Sequence, residues 1–429
     1  AELVLPLRCK AEAQNRRFRF VVQLNSGVDV RPEGGPAGGR PGQSEVPLPA
    51  PAFSVTARPD PMEKLGLPDA FDPVTGLGRW HYEARIGEGG LGIVYRARDC
   101  KQGRGEVAIK LLKQHGRIHR RNARHAFSMY RECQWSLQWL HNREDPRYLE
   151  SSADLFARYL EDHTGFSEVR PASFDEKRRM YETPGFDWGT DGPVLPPQPY
   201  VVMELVQGES LQNAIDRERR HLQPGVEEPP ALTPGEKRSV LREAVRALDY
   251  LSRFGLIHRD FRGCNMHLVA REHEHGVCKL KVLDLGVMIS SEANQESNSN
   301  TAVLAFRQRG DTEEKRRRYD WLPWEVRNGA DGLGPLVNFE RPSHSFDVFS
   351  LGVLVLHLLV GKTEARALLE VLTAPGGKTL ETAALGVGRE LVLRMLGDAK
   401  DRPHPGDVLV ALEPPPAPQP APAAPVPAA

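Results

Sequence analysis

The stretch Ile257-His258-Arg259-Asp260-Phe261-Arg262-Gly263-Cys264-Asn265 sets one carboxylate and one amide in the pattern H-R-D-x-x-x-x-N. A match of that length rarely arises by chance. Its flanks give it a setting. Upstream, Thr233-Pro234-Gly235-Glu236 has the form of a helix capping box with proline at the first helical position. Val240, Leu241, Ala244, Val245, Leu248 and Leu251 then recur at helical spacing, and Gly255 is placed to close that helix. Downstream, short strands surround Val282-Leu283-Asp284-Leu285-Gly286, and helices fill most of the rest.

Further upstream the pattern is strand-like. His81 to Ala97 and Glu106 to Leu112 bracket a turn at Asp99 to Gly105. Inside the first lies Ile86-Gly87-Glu88-Gly89-Gly90-Leu91-Gly92-Ile93-Val94, with glycines at G-x-G-x-x-G spacing. Glycine lets a backbone approach phosphate closely, because no Cβ intervenes. A dinucleotide loop would open directly into a helix. Here another strand, Ile93 to Ala97, follows, so the glycines join two strands of a hairpin. The second strand ends in Val107-Ala108-Ile109-Lys110. Ala126 to Leu140 reads as a helix carrying Glu132, and Tyr200 to Val206 returns to strand character. Asn142 to Gln198, rich in Pro, Asp and Arg, reads as an insertion with short elements of its own. Strands first and helices later predict an α+β, two-lobed fold: a small β-rich lobe on a larger α-helical one.

Taken together these motifs resemble the eukaryotic-type protein kinases, from about Trp80 to about Leu412. The resemblance implies a role for each position. Ile86, Gly87, Glu88, Gly89, Gly90, Leu91, Gly92 and Val94 would cover ATP, with Ala108 against the base. Lys110 would hold the α/β-phosphates, positioned by Glu132. Met203 would be the gatekeeper, and Glu204 and Val206 would offer main-chain groups to adenine. Asp260 would accept the proton of a substrate hydroxyl, and Asn265 and Asp284 would ligate Mg²⁺. Leu285 replaces the usual Phe and keeps an apolar plug. Pro323-Trp324-Glu325 occupies the A-P-E position, Asp347 would pin the catalytic loop, and Arg402 would pair with Glu325.

The chain departs from the family in places. Arg262 stands where serine/threonine kinases have Lys, and Arg262-Gly263-Cys264 follows a tyrosine-kinase form. Trp321-Leu322-Pro323-Trp324-Glu325 is similar to the W-x-x-P-E of tyrosine kinases, and Arg318 stands where serine/threonine kinases carry Thr. His267 replaces an apolar residue beneath adenine. The activation segment, Asp284 to Glu325, holds Ser290, Ser291, Ser297, Ser299, Thr301, Thr312 and Tyr319. Arg259 would pair with a phosphate there, so regulation by phosphorylation is expected. The basic run Lys315 to Arg318 would hold such a phosphate, favour acidic substrates, or simply be a solvated charge run. The reading is a protein kinase, serine/threonine-directed by abundance. The alternatives are tyrosine-like specificity, a pseudokinase acting as a binding scaffold, and a small-molecule kinase of similar fold.

Composition narrows the setting. Lys+Arg and Asp+Glu both number 57, a balance that argues against nucleic acid as the main partner. Protein substrates and ATP are the expected partners. Five widely spaced cysteines without metal-ligand spacing fit a reduced, intracellular and cytoplasmic compartment. The apolar stretch Leu351 to Val360 is too short to span a bilayer and reads as a buried helix. Residues 1–79 read as a mostly disordered extension with one short strand near Phe18 to Val22, and 413–429 as a Pro/Ala-rich tail.

Overall fold

The computed structural model describes residues 20–22, 55–57 and most of 67–412. Outside the described residues lie 114–118, 222–230, 273–275, 292–318, 326–342, 370–386 and a few isolated positions, together with both chain ends. Gly90, Trp324, Arg318, the run 315–318, the tail, most of the N-terminal extension and the serines and threonines between 297 and 312 therefore fall outside it. Near the start, β1 (Phe20–Val22) pairs antiparallel with β2 (Val55–Ala57).

The first large unit is a five-stranded antiparallel sheet of β3 (Trp80–Glu88), β4 (Gly92–Asp99), β5 (Gly105–Leu112), β6 (Tyr159–His163) and β7 (Tyr200–Glu204), in the order β3-β4-β5-β7-β6. Alternation along β5 explains how it is used. Val107, Ile109 and Leu111 join Trp80, Tyr95 and Val202 in a core on one face. Ala108 and Lys110 point to the other face, beside Val94 on β4 and Val201 and Met203 on β7. Against that second face lies α1 (His119–Gln134), continued by a π-helical turn, Trp135–Leu140.

Two boundaries differ from the sequence reading. Order begins before Trp80: Leu67 packs on the sheet core, and Arg79 pairs with Asp99 at 2.6 Å and Glu161 at 2.7 Å. Nor is 142–198 wholly an insertion, because β6 is an edge strand of the main sheet. Its sequence, Tyr159-Leu-Glu-Asp-His163, is half polar, as suits an edge exposed on one side, and so carries no alternating apolar signature. Between β6 and β7 runs Thr164 to Gln198, which contains α3 (Phe174–Tyr181); α2 (Glu150–Ala153) precedes β6.

The helical part follows. It comprises α4 (Leu211–His221), α5 (Pro234–Arg253), α6 (Ser345–Val360), α7 (Arg389–Leu396) and α8 (Pro405–Leu412). The capping box at Thr233 is formed: its hydroxyl accepts from Glu236 N at 3.2 Å, and Glu236 Oε2 accepts from Thr233 N at 2.8 Å. Gly255 turns the chain at φ 63°. The α6 helix is apolar on all sides and buried accordingly. Short strands β8 (Glu209–Ser210), β10 (Met266–Glu272) and β11 (Val277–Val282) form a second sheet, and β9 (Leu256–Ile257) pairs with β12 (Ile289–Ser290). The loops β9–β10 and β11–β12 are tied by Leu283 N donating to Asn265 O at 2.7 Å. Among the described residues no helix is long and apolar enough to cross a membrane.

Candidate active site

The β9–β10 loop is held from below. Asp347, at the start of α6, accepts from His258 N at 2.6 Å and Arg259 N at 2.8 Å. Both amides can point at one carboxylate because Arg259 takes a left-handed backbone, φ 61°. Within the loop, Asn265 Nδ2 donates to Asp260 O at 2.9 Å and to Asp260 Oδ2 at 2.8 Å. Arg262 Nε lies 2.8 Å from Asp260 Oδ1, and its guanidinium covers Trp321, 4.1 Å from the ring centroid. Burial pushes the Asp260 carboxyl up, against the charge of Arg262 and the amide of Asn265.

The β11–β12 loop presents Asp284, also left-handed at φ 57°. Such residues cluster where the surroundings over-determine the backbone, and both here flank the same site. Asp284 Oδ1 accepts from Lys110 Nζ at 2.9 Å. Burial would raise its pKa, but the charge and hydrogen bond of Lys110, with the Gly286 amide, hold it at about 2. Lys110 also donates to both oxygens of Glu132, at 2.9 and 2.8 Å. Burial disfavours the ammonium, yet Asp284 and Glu132 together raise its pKa.

Glu132 is fully buried and accepts from two further donors, Leu285 N at 3.1 Å and the Tyr159 hydroxyl. Burial, with the Asp284 charge, pushes it up to about 7 against Lys110 and Tyr159. The sequence pattern assigns Tyr159 no role. It lies 27 residues from Glu132 in a stretch read as insertion, so no local spacing could have found it. Leu285 is buried.

The glycine hairpin closes by Gly89 N donating to Gly92 O at 2.8 Å. A Cβ on Gly92 would lie 2.7 Å from Leu111 O, so strand contact demands glycine there. A Cβ on Gly89 would meet nothing within 4 Å, which leaves open space over the loop. Gly87 and Val94 pair across the hairpin, and Ile86 is partly exposed. Leu91 reaches toward Gly286. Glu88 is taken up by ion pairs with Arg85 and Lys113. On the hinge side, Met203 stands opposite Ala108. The Glu204 amide is committed to Arg158 O at 2.9 Å, so of its main chain only the carbonyl is left for a base, which narrows the expected role. Val206, just past β7, is half-buried, and His267 lies on β10 between Ser210 and Lys281, its pKa lowered by burial.

The donor set suits one kind of cation. Among the described residues no cluster of three or more His, Cys, Asp or Glu could hold a metal unaided. Asp284 offers carboxylate oxygen, and Asn265, with its nitrogen spent on Asp260, offers only its carbonyl oxygen. Mg²⁺ is characteristically held by one or two such oxygens plus substrate phosphates. The site residues thus fit Mg²⁺ with a nucleotide.

The segment ahead of α6 is docked. Arg402 forms a fork with Glu325, Nη1 to Oε1 at 2.6 Å and Nη2 to Oε2 at 2.8 Å. Ser350 Oγ donates to Trp321 O at 2.9 Å, and His357 Nε2 lies 3.1 Å from Asp320 Oδ2. Ser290 is buried in β12, so as placed it is not open to modification.

A glycine hairpin over a lysine–glutamate–aspartate cluster, beside an Asp–Asn loop pinned from a buried helix, is similar to the arrangement of protein kinase active sites. Residues 194–368 match the family model described as protein kinase domain. The chain is 24% identical over 296 residues to the serine/threonine-protein kinase Pkn1 of Myxococcus xanthus, covering 68% of this chain and 31% of that one. It is 26% identical over 168 residues to serine/threonine-protein kinase B of Synechocystis sp. (38% and 23%), and 27% over 119 residues to serine/threonine-protein kinase PknB of Mycobacterium tuberculosis (28% and 16%). It spans less than a third of the length of each of these relatives. Over residues 194–368, then, the chain is similar to the protein kinase family. The family match begins after Lys110 and Glu132, which join its Asp284 only through the contacts above.

Proposed function

We propose that this chain is an active, two-lobed, Mg²⁺- and ATP-dependent protein kinase that phosphorylates serine or threonine hydroxyls of other proteins. The observation that carries the reading is the bonded set Glu132–Lys110–Asp284, with Asp260–Asn265 in the adjoining loop. Phosphoryl transfer asks a protein mostly for positioning and charge stabilisation, and each demand has a residue here. Bound Mg²⁺ would neutralise phosphate charge, held by Asp284 and Asn265. Lys110, fixed from both sides, presents its ammonium to the phosphates. Asp260, kept in place by Asn265 and with its basicity raised by burial, accepts the hydroxyl proton of the substrate. The Ser/Thr assignment rests on the relatives' names.

One contact favours a second reading. Arg262 and Trp321, the two residues whose motifs resemble those of tyrosine kinases, are in direct contact, and Arg262 also meets Asp260, which supports a tyrosine hydroxyl as the alternative acceptor. The test is transfer of label from Mg-ATP to generic protein substrates, run beside Asp260→Asn and Lys110→Met. The expected result is labelling by the parent chain and a loss of about a hundredfold or more in both variants. Equal labelling by all three, or none by any, would overturn the reading in favour of a scaffold. Phosphoamino-acid analysis of the product separates Ser/Thr from Tyr.

A further inference from the structure

The α3 helix is set up locally. Ser173 caps it, its hydroxyl accepting from Glu176 N at 3.1 Å, and Asp175 and Glu176 favour the N-terminal dipole. The segment that carries it, Thr164 to Gln198, does not form a separate knob. It lies along α1. Phe127 of α1 sits 5.2 Å from Phe166, 5.1 Å from Tyr181 and 5.6 Å from Trp188, ring centre to ring centre. Tyr130 sits 5.9 Å from Phe174. Beyond these rings is a polar clasp. Arg131 Nη1 meets Glu182 Oε1 at 2.7 Å, and both side chains are largely shielded from water, at 12% and 15% exposure. Arg178 lies 3.7 Å from the other Glu182 oxygen and covers Trp135 at 4.6 Å. The segment thus grips α1 just before and just after Glu132.

A second observation concerns Arg259. Its guanidinium is buried, donates through Nε to Val287 O at 2.9 Å, and leaves Nη1 without a hydrogen-bond partner. Burial lowers the Arg259 pKa, the Arg131 charge adds to that, and the carboxylates of Asp347 and Glu182 oppose it. Glu182, paired with Arg131, therefore offsets a charge that would otherwise repel the arginine expected to meet a phosphate.

We propose that Glu182 is a positioning residue: through Arg131 it fixes α1 so that Glu132 meets Lys110 without a phosphate in the Asp284–Glu325 segment. The aromatic rings set the lateral place of the helix, and the clasp sets its rotation. The catalytic consequences rest on the kinase reading above; the clamp itself does not.

The test uses the full chain, phosphatase-treated and verified phosphate-free by mass spectrometry, as the parent and as Glu182→Gln and Glu182→Asp. Three readouts are taken: steady-state kinetics with Mg-ATP, amide hydrogen exchange across α1, and thermal unfolding. The parent is expected to keep its kcat within about twofold after phosphatase treatment. Glu182→Gln is expected to lower kcat about tenfold, leave KM for the protein substrate unchanged and speed exchange in α1. Glu182→Asp, which keeps the charge, is expected to recover most of both effects. Parent-like kcat and α1 exchange in Glu182→Gln would overturn the proposal, as would loss of parent activity on phosphatase treatment. If no form turns over ATP, the kinase reading fails, while α1 exchange still decides whether Glu182 holds the helix.

Discussion

Glu132 accepts from Lys110, Tyr159 and the Leu285 amide, and its protonation links activity and stability in opposite directions. Its pKa is pushed up to about 7 from an ordinary 4.5, mainly by burial. Between those values the folded chain holds a proton there that the unfolded chain has released. This group's contribution to stability therefore rises as pH falls from about 7 toward 4.5. Activity moves the other way, because a neutral Glu132 no longer pairs with Lys110. Asp284, held at about 2, stays ionised throughout and keeps its share of the lysine. Its own contribution is present above 3.8 and is lost as pH falls toward about 2. The expected outcome is a one-proton acidic limb in kcat/KM for ATP near pH 7, with no matching loss of unfolding free energy above pH 4.5. Tyr159→Phe removes a hydrogen bond to the charged form, so the limb should move to higher pH. Kcat/KM above the limb should fall by about tenfold, given roughly 1.5 kcal/mol for a hydrogen bond to a buried charge. An unmoved limb in Tyr159→Phe would exclude Glu132 as the titrating group.

At the scale of elements, two glycines of one hairpin separate fold from function. Gly92→Ala drives a Cβ to 2.7 Å from the Leu111 carbonyl, between paired strands that cannot part cheaply. Overpacking of this kind costs roughly 1–3 kcal/mol, read as a lower melting temperature. Gly89→Ala meets nothing, so stability should be unchanged while KM for ATP rises, because the added methyl occupies the space left for phosphate. A destabilised Gly89→Ala would show that this space is filled by the fold itself. The same elements show what was legible beforehand. The capping box, the hairpin glycines and the H-R-D-x-x-x-x-N loop declare themselves because local geometry constrains their residue types. The sequence pattern predicts α1 from Ala126, whereas the helix begins at His119, in the run His119-Arg-Arg that contains no apolar residue. The β6 strand was hidden because an edge strand needs little alternation. The Tyr159 contact was hidden because it depends on how β6 and α1 are brought together, and residue spacing does not carry that.

On the scale of the whole molecule, contacts between distant parts of the chain decide which parts move together. The segment Tyr319 to Glu325 is joined to the helical part at three points: Ser350 to Trp321, His357 to Asp320, and Arg402 to Glu325. Only the last spans to the chain's far end, since Arg402 lies just before α8. Its side chain is wholly buried, and its partner is about a quarter exposed. It also donates to Gly397 O at 3.0 Å and Ser345 O at 3.1 Å, so one guanidinium ties the ends of α6 and α7 to the docked segment. Arg402→Ala would strand the Glu325 carboxylate and two carbonyls at once. The cost should be on the order of 3 kcal/mol in unfolding free energy, toward the low end for breaking a buried pair because Glu325 retains some water. Arg402→Lys keeps the charge but not the fork, and should recover less than half of that loss. Activity should fall in both variants through Trp321, which supports Arg262 and hence Asp260. Hydrogen exchange at 319–325, read beside kcat, distinguishes this from general unfolding. Faster exchange confined to that segment is the expected pattern, and uniform acceleration across α5 and α6 would mean that Arg402 stabilises the helical part as a whole rather than docking one segment onto it.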